Sequence, residues 1–508
     1  MYVTTLLWIF IMKNDIDNSR YSRVSQKIEL DLINSDKFIK LKLLQNQYER
    51  IHFIGIGGIG MGGLALIFHK LGFIVTGSDL TSNNITEYLS SLSININIGP
   101  HKAENLDQLT SKSLIVITST VKDSNLEYNS AKDRDLEIIR RAALLAKVLD
   151  CGIGIAITGT HGKTTTTSIV TNIFQKAKLD PTYAVGGILA ATDLNADLGI
   201  GDYCIIEADE SDATLKYYKP KILVINNIDA DHLANYDNDI NKLEAYIIEF
   251  LNSLADESII ILNLDDDIIK NKIIDNIKNK NIVTFGSSQD VDYQLVSFEQ
   301  KGHEVTFEVL IKNKNKVVLT LPMPGRHNAM NAVAAFCVAD TQGIDIDIIK
   351  QGVAEFSGVG RRFQSYGEIN IDNKKVTLID DYGHHPKEVK ATIDAIKSGW
   401  PERRLVLAYQ PHKYSRTKDL FNDFVEVLSK ADKLLLLPVY SAGEDLIPGG
   451  DSQSLYNALL KYNNNLDISY IEYDDFLLKI KDYVLDNDIL VLQGAGSIGT
   501  LSKQVVQH

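Results

Sequence analysis

The densest chemistry in this sequence lies in residues 154–168, GIAITGTHGKTTTTS. The apolar run 153–158 predicts a strand. A tight glycine loop follows, and an amphipathic helix is predicted from Lys163 onward. Such a loop aims several backbone N–H groups at one point, and the helix start adds the positive end of its dipole. With the ammonium of Lys163 beside it, that point suits a polyphosphate. Gly159, Thr160, His161, Gly162, Lys163, Thr164 and Thr165 are therefore the candidate nucleotide-binding residues, and the Thr164 hydroxyl is placed to ligate Mg2+. The common pattern G-x-x-x-x-G-K-[ST] asks for glycine at 157, where this chain has Ile157. The alternative is an ordinary glycine-containing turn of a parallel sheet. Gly-Lys-Thr-Thr between a strand and a helix favours phosphate binding.

Other reactive residue types recur at the ends of apolar runs, where a parallel sheet collects its ligands. The run 203–206 delivers Glu207, Asp209, Glu210 and Asp212 within six residues. These carboxylates repel one another unless a cation offsets them. Glu207, directly at the strand end, is the expected Mg2+ ligand; Asp209 to Asp212 fit a solvated acidic loop equally well. The run 222–226 leads into Asn227-Ile228-Asp229-Ala230-Asp231-His232. A lone histidine is usually structural, but His232 falls at the same expected edge as Lys163 and Glu207, so a metal or phosphate role is expected for it. Asn328 and Asn331 open a helix after Pro324-Gly325 and share one face. Two carboxamides so placed read a base edge by donating and accepting together, unless one only caps the helix.

These groups need a scaffold, and the hydrophobic pattern supplies three α/β units. In the first, a strand at 51–54 runs into Gly55-Ile56-Gly57-Gly58-Ile59-Gly60, then a helix to about Leu71, then a second strand ending at Asp79. This is G-x-G-x-x-G with an acid about 20 residues on. Gly55, Gly57, Gly58 and Gly60 would admit a diphosphate, and Asp79 would take a ribose hydroxyl. Arg140 and Arg141 are expected on one helix, pointing in different directions, so at most one of them faces a ligand. In the second unit, Gly186-Gly187 reads as a turn, and 257–322 reads as strands with Asn/Asp/Lys-rich turns. Residues 357–363 read as a linker. The third unit starts at 376, with strands at 376–379, 405–408, 433–437 and 489–492. Polar clusters follow two of them: 380–386 with His384 and His385, and 410–417 with His412 and Arg416. A second G-x-G-x-x-G, Gly494 to Gly499, leaves only nine residues after it, so it is a structural strand–helix turn. The expected fold is α/β in three domains: Rossmann-like at 48–150, a P-loop ATPase domain with a parallel sheet at 151–360, and Rossmann-like at 361–508. An extension, 1–47, is expected to be mobile.

The composition is ordinary for a soluble chain: 508 residues, 44% hydrophobic and 23% charged. A net charge of −14 provides no global field for nucleic acid or an anionic membrane. Three cysteines without metal-ligand spacing argue against a disulfide framework and for a cytoplasmic protein. The apolar run 2–12 is too short to span a bilayer and lacks the flanks of a signal peptide, so no stable membrane insertion is expected; Met12 is an alternative start.

The ordered set GIGGIGMGG, GTHGKTTTTS, EADESD, NIDADHL, PGRHNAMNA, GRRF, DDYGHHP and QPHKYSRT resembles the Mur ligases over about residues 50–500. That family uses the shortened Gly-Thr-His-Gly-Lys-Thr loop, which accounts for Ile157. The chain departs from the family at Gly62, Ala143 and Leu144. The resemblance implies an ATP- and Mg2+-dependent ligase of peptidoglycan precursor synthesis. UDP-N-acetylmuramate would sit on the Gly55–Gly60 loop with Asp79, Arg141 and His412. Its carboxylate would be phosphorylated by ATP, and an amine, expected to be L-alanine, would displace the phosphate. Lys163, Glu207, His232, His384, His385 and Arg416 would be catalytic. Thr164, Glu207 and His232 would hold metal. Asn328 and Asn331 would contact adenine, and Asp381 would lie near the ribose. A ligase that takes a preformed tripeptide shares most of these motifs. An NAD(P)-dependent oxidoreductase built on Gly55–Gly60 and Asp79 leaves Lys163, Glu207 and the asparagines unexplained. A non-catalytic nucleotide switch is the third alternative.

Overall fold

The computed structural model describes residues 44–507 except 232, 279–280 and 313. Most of the 1–47 extension and His232 thus lie outside the described residues. Strands β1 (Arg50–Ile54), β2 (Ile74–Asp79), β3 (Asn95–Ile98), β4 (Ser113–Ile117) and β5 (Glu137–Arg140) form a parallel sheet in the order β3-β2-β1-β4-β5. The order reverses at β1, so a crevice opens above its C-terminal end, where the Gly55–Gly60 loop leads into the helix Ile59–Lys70. Arg140 closes β5 and Arg141 opens the next helix, so the two arginines do not share a helix as expected.

The middle sheet has ten strands: β6 (Ile153–Thr158), β7 (Thr182–Leu189), β8 (Leu194–Asp197), β9 (Tyr203–Glu207), β10 (Ile222–Ile225), β11 (Ile259–Asn263), β12 (Asn281–Gly286), β13 (Tyr293–Lys301), β14 (Glu304–Ile311) and β15 (Asn315–Leu321). Their order is β15-β14-β13-β12-β11-β10-β6-β9-β7-β8. The phosphate-loop strand β6 lies in the parallel centre, paired with β9 and β10. Residues after β9 and β10 therefore flank the loop. The helix that follows, Lys163–Lys176, is buried on nearly every side rather than amphipathic. Its hydroxyls tolerate this by bonding back one turn: Thr167 Oγ1 to Lys163 O at 2.8 Å, Ser168 Oγ to Thr164 O at 2.7 Å and Thr171 Oγ1 to Thr167 O at 2.8 Å.

Gly186-Gly187 is not a turn; both lie inside β7. Close packing explains the pair. A Cβ on Gly186 would stand 2.7 Å from both carboxylate oxygens of Glu207, and one on Gly187 would stand 2.5 Å from Val359. Residues 357–363 are likewise a packed strap, with Val359 and Phe363 buried.

The third sheet runs β16-β17-β21-β18-β19-β20, from β16 (Gln364–Ile371), β17 (Lys374–Asp381), β18 (Leu405–Tyr409), β19 (Lys433–Leu436), β20 (Ile468–Tyr470) and β21 (Ile489–Gln493). It is parallel except for the antiparallel edge β16. The turn after β21 is structural: Ile498 N–H at the following helix start donates to Gln410 Oε1 (2.9 Å), and Gly499 lies against Arg361. One apolar cluster joins a face of the middle sheet to a face of the third; another joins the opposite face of the middle sheet to the first. No helix among the described residues is long and apolar enough to cross a membrane.

Candidate active site

The phosphate loop leaves β6 through Gly159 (φ 121°) and enters its helix through Gly162 (φ 79°), backbone conformations that favour glycine. A Cβ on Gly162 would also stand 2.5 Å from Asn331 Oδ1. The segment after β10 holds the loop from the side. Thr160 Oγ1 accepts from Asp229 N–H (2.8 Å), and Asn227 exchanges two hydrogen bonds with the backbone of His161. Asn227 and Asp229 were visible in the sequence only as flanks of His232.

Lys163 Nζ donates to Gly159 O (2.6 Å), Thr160 O (3.3 Å) and Glu210 Oε2 (2.9 Å). Burial works against its charge, but Glu210, Asp209 and Glu207 outweigh it and hold the ammonium above the ordinary lysine range. Asp209 feels burial in the opposite sense, and Lys163 keeps it below the ordinary carboxylate range. The acidic cluster is thus not a solvated loop at Asp209 and Glu210. Thr164 Oγ1 donates to Glu207 Oε1 (3.1 Å), while Glu207 Oε2 accepts from Gly186 N–H (2.7 Å). Arg362, read from sequence as part of a linker, reaches Thr164 Oγ1 (3.4 Å) and stacks on Tyr382.

A cavity of about 220 Å³ lies between the middle and third sheets. Its walls bring together His161, Gly162, Thr165, Asn328, Asn331 and Asp381, along with Arg362. Asn328 Nδ2 is bound to Pro324 O (2.7 Å), and Asn331 Nδ2 to Asn328 Oδ1 (3.4 Å). Asp381 lines this cavity, but its carboxylate already accepts from Gly383 N, Phe363 N, Thr392 Oγ1 and Gln493 Nε2. His161 bridges the two sides. Its Nε2 bonds Asp229 (3.3 Å) and its Nδ1 bonds Glu388 of the third unit (3.2 Å). Burial disfavours the imidazolium, yet these two carboxylates prevail and raise its pKa to about 9.

His385 caps the helix Pro386–Gly399, accepting from Lys387 N–H (3.3 Å), and lies 5.1 Å from the His161 ring. His384, His412 and Arg416 form a group outside this cavity. The two rings are 5.5 Å apart, Arg416 Nη1 donates to His412 Nδ1 (3.2 Å), and Arg416 also reaches Asp231 (3.4 Å). Burial and the nearby cations lower His384 to about 4 and His412 to about 3.

In the first unit, Gly57 N–H donates to Asp79 Oδ2 (2.8 Å), and Gly55 N–H to Ser78 O (2.8 Å). The acid thus braces the glycine loop. A second cavity, about 280 Å³, joins this loop to the phosphate-loop edge. Gly58, Gly60 and Arg141 line one side, and Gly186, Asn195, Glu207 and Asp209 the other. Arg141 lies over Gly60, where a Cβ would meet its guanidinium at 3.0 Å. Gly55, Gly57, Asp79 and His412 are not among its lining residues.

Three family descriptions match successive parts of the chain: Mur ligase family, catalytic domain (50–150), Mur ligase middle domain (157–339) and Mur ligase, glutamate ligase domain (361–496). The chain belongs to the Mur ligase family of ATP-dependent amide ligases. Among solved structures it is similar to a UDP-N-acetylmuramate-alanine ligase from Thermotoga maritima, with 27% identity and a TM-score of 0.76 over 90% of this chain and 98% of that one. It is also similar to a UDP-N-acetylmuramate:L-alanyl-gamma-D-glutamyl-meso-diaminopimelate ligase from Neisseria meningitides (26% identity, TM-score 0.56, 62% of this chain and 100% of that one). A MurF ligase from Thermotoga maritima in complex with ADP shares the fold (17% identity, TM-score 0.57, 85% and 93% coverage).

Proposed function

We propose that this chain joins L-alanine to the lactyl carboxylate of UDP-N-acetylmuramate, with ATP as the activating substrate. The observation that carries this is that Thr164 links two cavities: its Oγ1 meets Arg362, which lines the first, and Glu207, which lines the second. One cavity has Asn331, Gly162 and Thr165 on its walls and suits the adenine nucleotide. The other runs from the Gly58–Gly60 loop to Glu207 and suits the sugar nucleotide. The two substrates then meet at the phosphate loop.

The chemistry follows from charge. A carboxylate oxygen of the sugar nucleotide attacks the γ-phosphorus, and the bond to the ADP oxygen breaks, leaving an acyl phosphate. The amine of alanine then attacks the acyl carbon, the C–O bond to phosphate breaks, and the amine loses a proton. Carboxylate and triphosphate repel each other, so the protonated Lys163 and the Arg362 guanidinium offset that charge. The hard oxygen donors of Thr164 and Glu207, 3.1 Å apart, fit Mg2+. When bound there, Mg2+ supplies further positive charge at the phosphate oxygens. Asn328 and Asn331 hold adenine; Asp381 fixes the Phe363 strap at the edge of that pocket. His161, clasped by Glu388, draws the third unit over the loop and keeps water from the reactive acyl group. His384, His385, His412 and Arg416 line the approach of the amine.

A second specificity is favoured by the similarity to the Neisseria ligase: a preformed tripeptide in place of alanine. Phosphate release with UDP-N-acetylmuramate, ATP and Mg2+ decides between them when L-alanine, glycine, L-serine and the tripeptide are compared. Alanine is expected to give the highest kcat/KM. Turnover with the tripeptide alone would establish the second specificity, and turnover with none would refute both.

A further inference from the structure

We infer that Asn195 is a substrate-positioning residue, whose side-chain oxygen accepts a hydrogen bond from an amide N–H or hydroxyl of the hexosamine. This rests on the sugar-nucleotide reading of the second cavity. Between the pairs Ala184↔Ala196 and Leu189↔Leu194, the β7–β8 register slips, so residues 185–188 face the single residue Asn195. Bulges of this kind re-aim a side chain beside a site. Asn195 points across to the first unit. Its Nδ2 donates to Ile59 O (2.8 Å), at the start of the glycine-loop helix, and to Val185 O (3.3 Å). Gly63 permits that approach, since a Cβ there would stand 2.7 Å from Asn195 Nδ2.

Both amide hydrogens are thereby committed to backbone carbonyls, which fixes which end of the carboxamide is oxygen. Among the described residues, nothing donates to Oδ1. Asn195 lines the cavity between the Gly58–Gly60 loop and Glu207. A diphosphate at the helix start and a carboxylate at Glu207 leave the sugar ring in between. The other polar side chains there are Thr118, whose Oγ1 already accepts from Thr120 N–H (3.3 Å), and Arg141, Glu207 and Asp209, each charged. A neutral acceptor of fixed orientation suits a sugar N–H or O–H.

The test compares UDP with UDP-N-acetylmuramate on the full chain by calorimetry, for wild type, Asn195→Ala and the size-matched Asn195→Leu. UDP ends before the sugar. The preference for the sugar nucleotide over UDP is expected to fall about five- to tenfold in both variants, the loss of one hydrogen bond. Equal weakening of both ligands would make Asn195 only a brace of the glycine loop and overturn the inference, as would an unchanged ratio. A wild type with no preference for the sugar nucleotide would overturn the parent reading itself.

Discussion

Adding one methyl group at Gly186 separates catalysis from stability. Gly186 is solvent-exposed in β7, and its φ is not in the left-handed region, so alanine is tolerated by the backbone. Within a strand the exchange changes stability by no more than about 1 kcal/mol, in the favourable direction. The new Cβ, however, falls 2.7 Å from both Glu207 oxygens, whereas ordinary contact begins at 3.4 Å. Glu207 must retreat from Gly186 by the difference, 3.4 − 2.7 = 0.7 Å, which shifts the carboxylate that Thr164 holds. A misplacement of about 1 Å costs on the order of a hundredfold in rate, so 0.7 Å corresponds to about 25-fold, or about 1.9 kcal/mol of barrier. Steady-state phosphate release at saturating substrates measures kcat, and thermal melting measures the fold. The expected result is a kcat drop of about 25-fold with an unchanged or raised Tm. A kcat within a factor of two of wild type would refute the placement of Glu207 at the reacting centre.

Lys163→Ala is expected to lower kcat/KM by roughly a hundredfold or more. It also leaves Glu210 buried without its cation, a cost of about 3 kcal/mol at neutral pH, visible as a lower Tm that recovers partly in acid as Glu210 takes a proton. His161, raised to about 9, gives its ion pairs with Asp229 and Glu388 their full strength below about pH 6.5 and loses them as pH rises through about 9. An NMR titration of its imidazole should show that raised midpoint, and Glu388→Gln should shift it toward the ordinary 6.5. Asp79→Ala removes the brace on Gly57 N–H and is expected to raise KM for the sugar nucleotide about tenfold while leaving KM for ATP within a factor of two.

The three α/β units were legible because apolar strands alternate with helical patterns, and several of those strands end in a cluster that has no role in a core: glycines, carboxylates or histidines. The phosphate loop and the edge it shares with Glu207 follow from that pattern alone. What sequence could not show is contact at long range. Gly186-Gly187 carries a strong local turn signal, yet both glycines are imposed by Glu207 and Val359, residues 21 and 172 positions away (207 − 186 and 359 − 187). Arg362 looks like linker charge until the strap folds it onto Thr164. Asn195 sits in a polar hairpin with no local signal; its contacts with Ile59 O and with Gly63, in the first unit, exist only in the folded chain. Arg140 and Arg141 divide between strand and helix because a parallel partner, β4, extends β5 to Arg140.

The central claim is that the sugar carboxylate is activated on phosphorus beside Lys163. UDP-N-acetylmuramate carrying 18O in its lactyl carboxylate tests it directly, because the acyl C–O bond that breaks leaves the carboxylate oxygen on phosphate. With ATP, Mg2+ and L-alanine, the account predicts one 18O atom in each phosphate released, read by mass spectrometry. Unlabelled phosphate accompanying amide formation would contradict it.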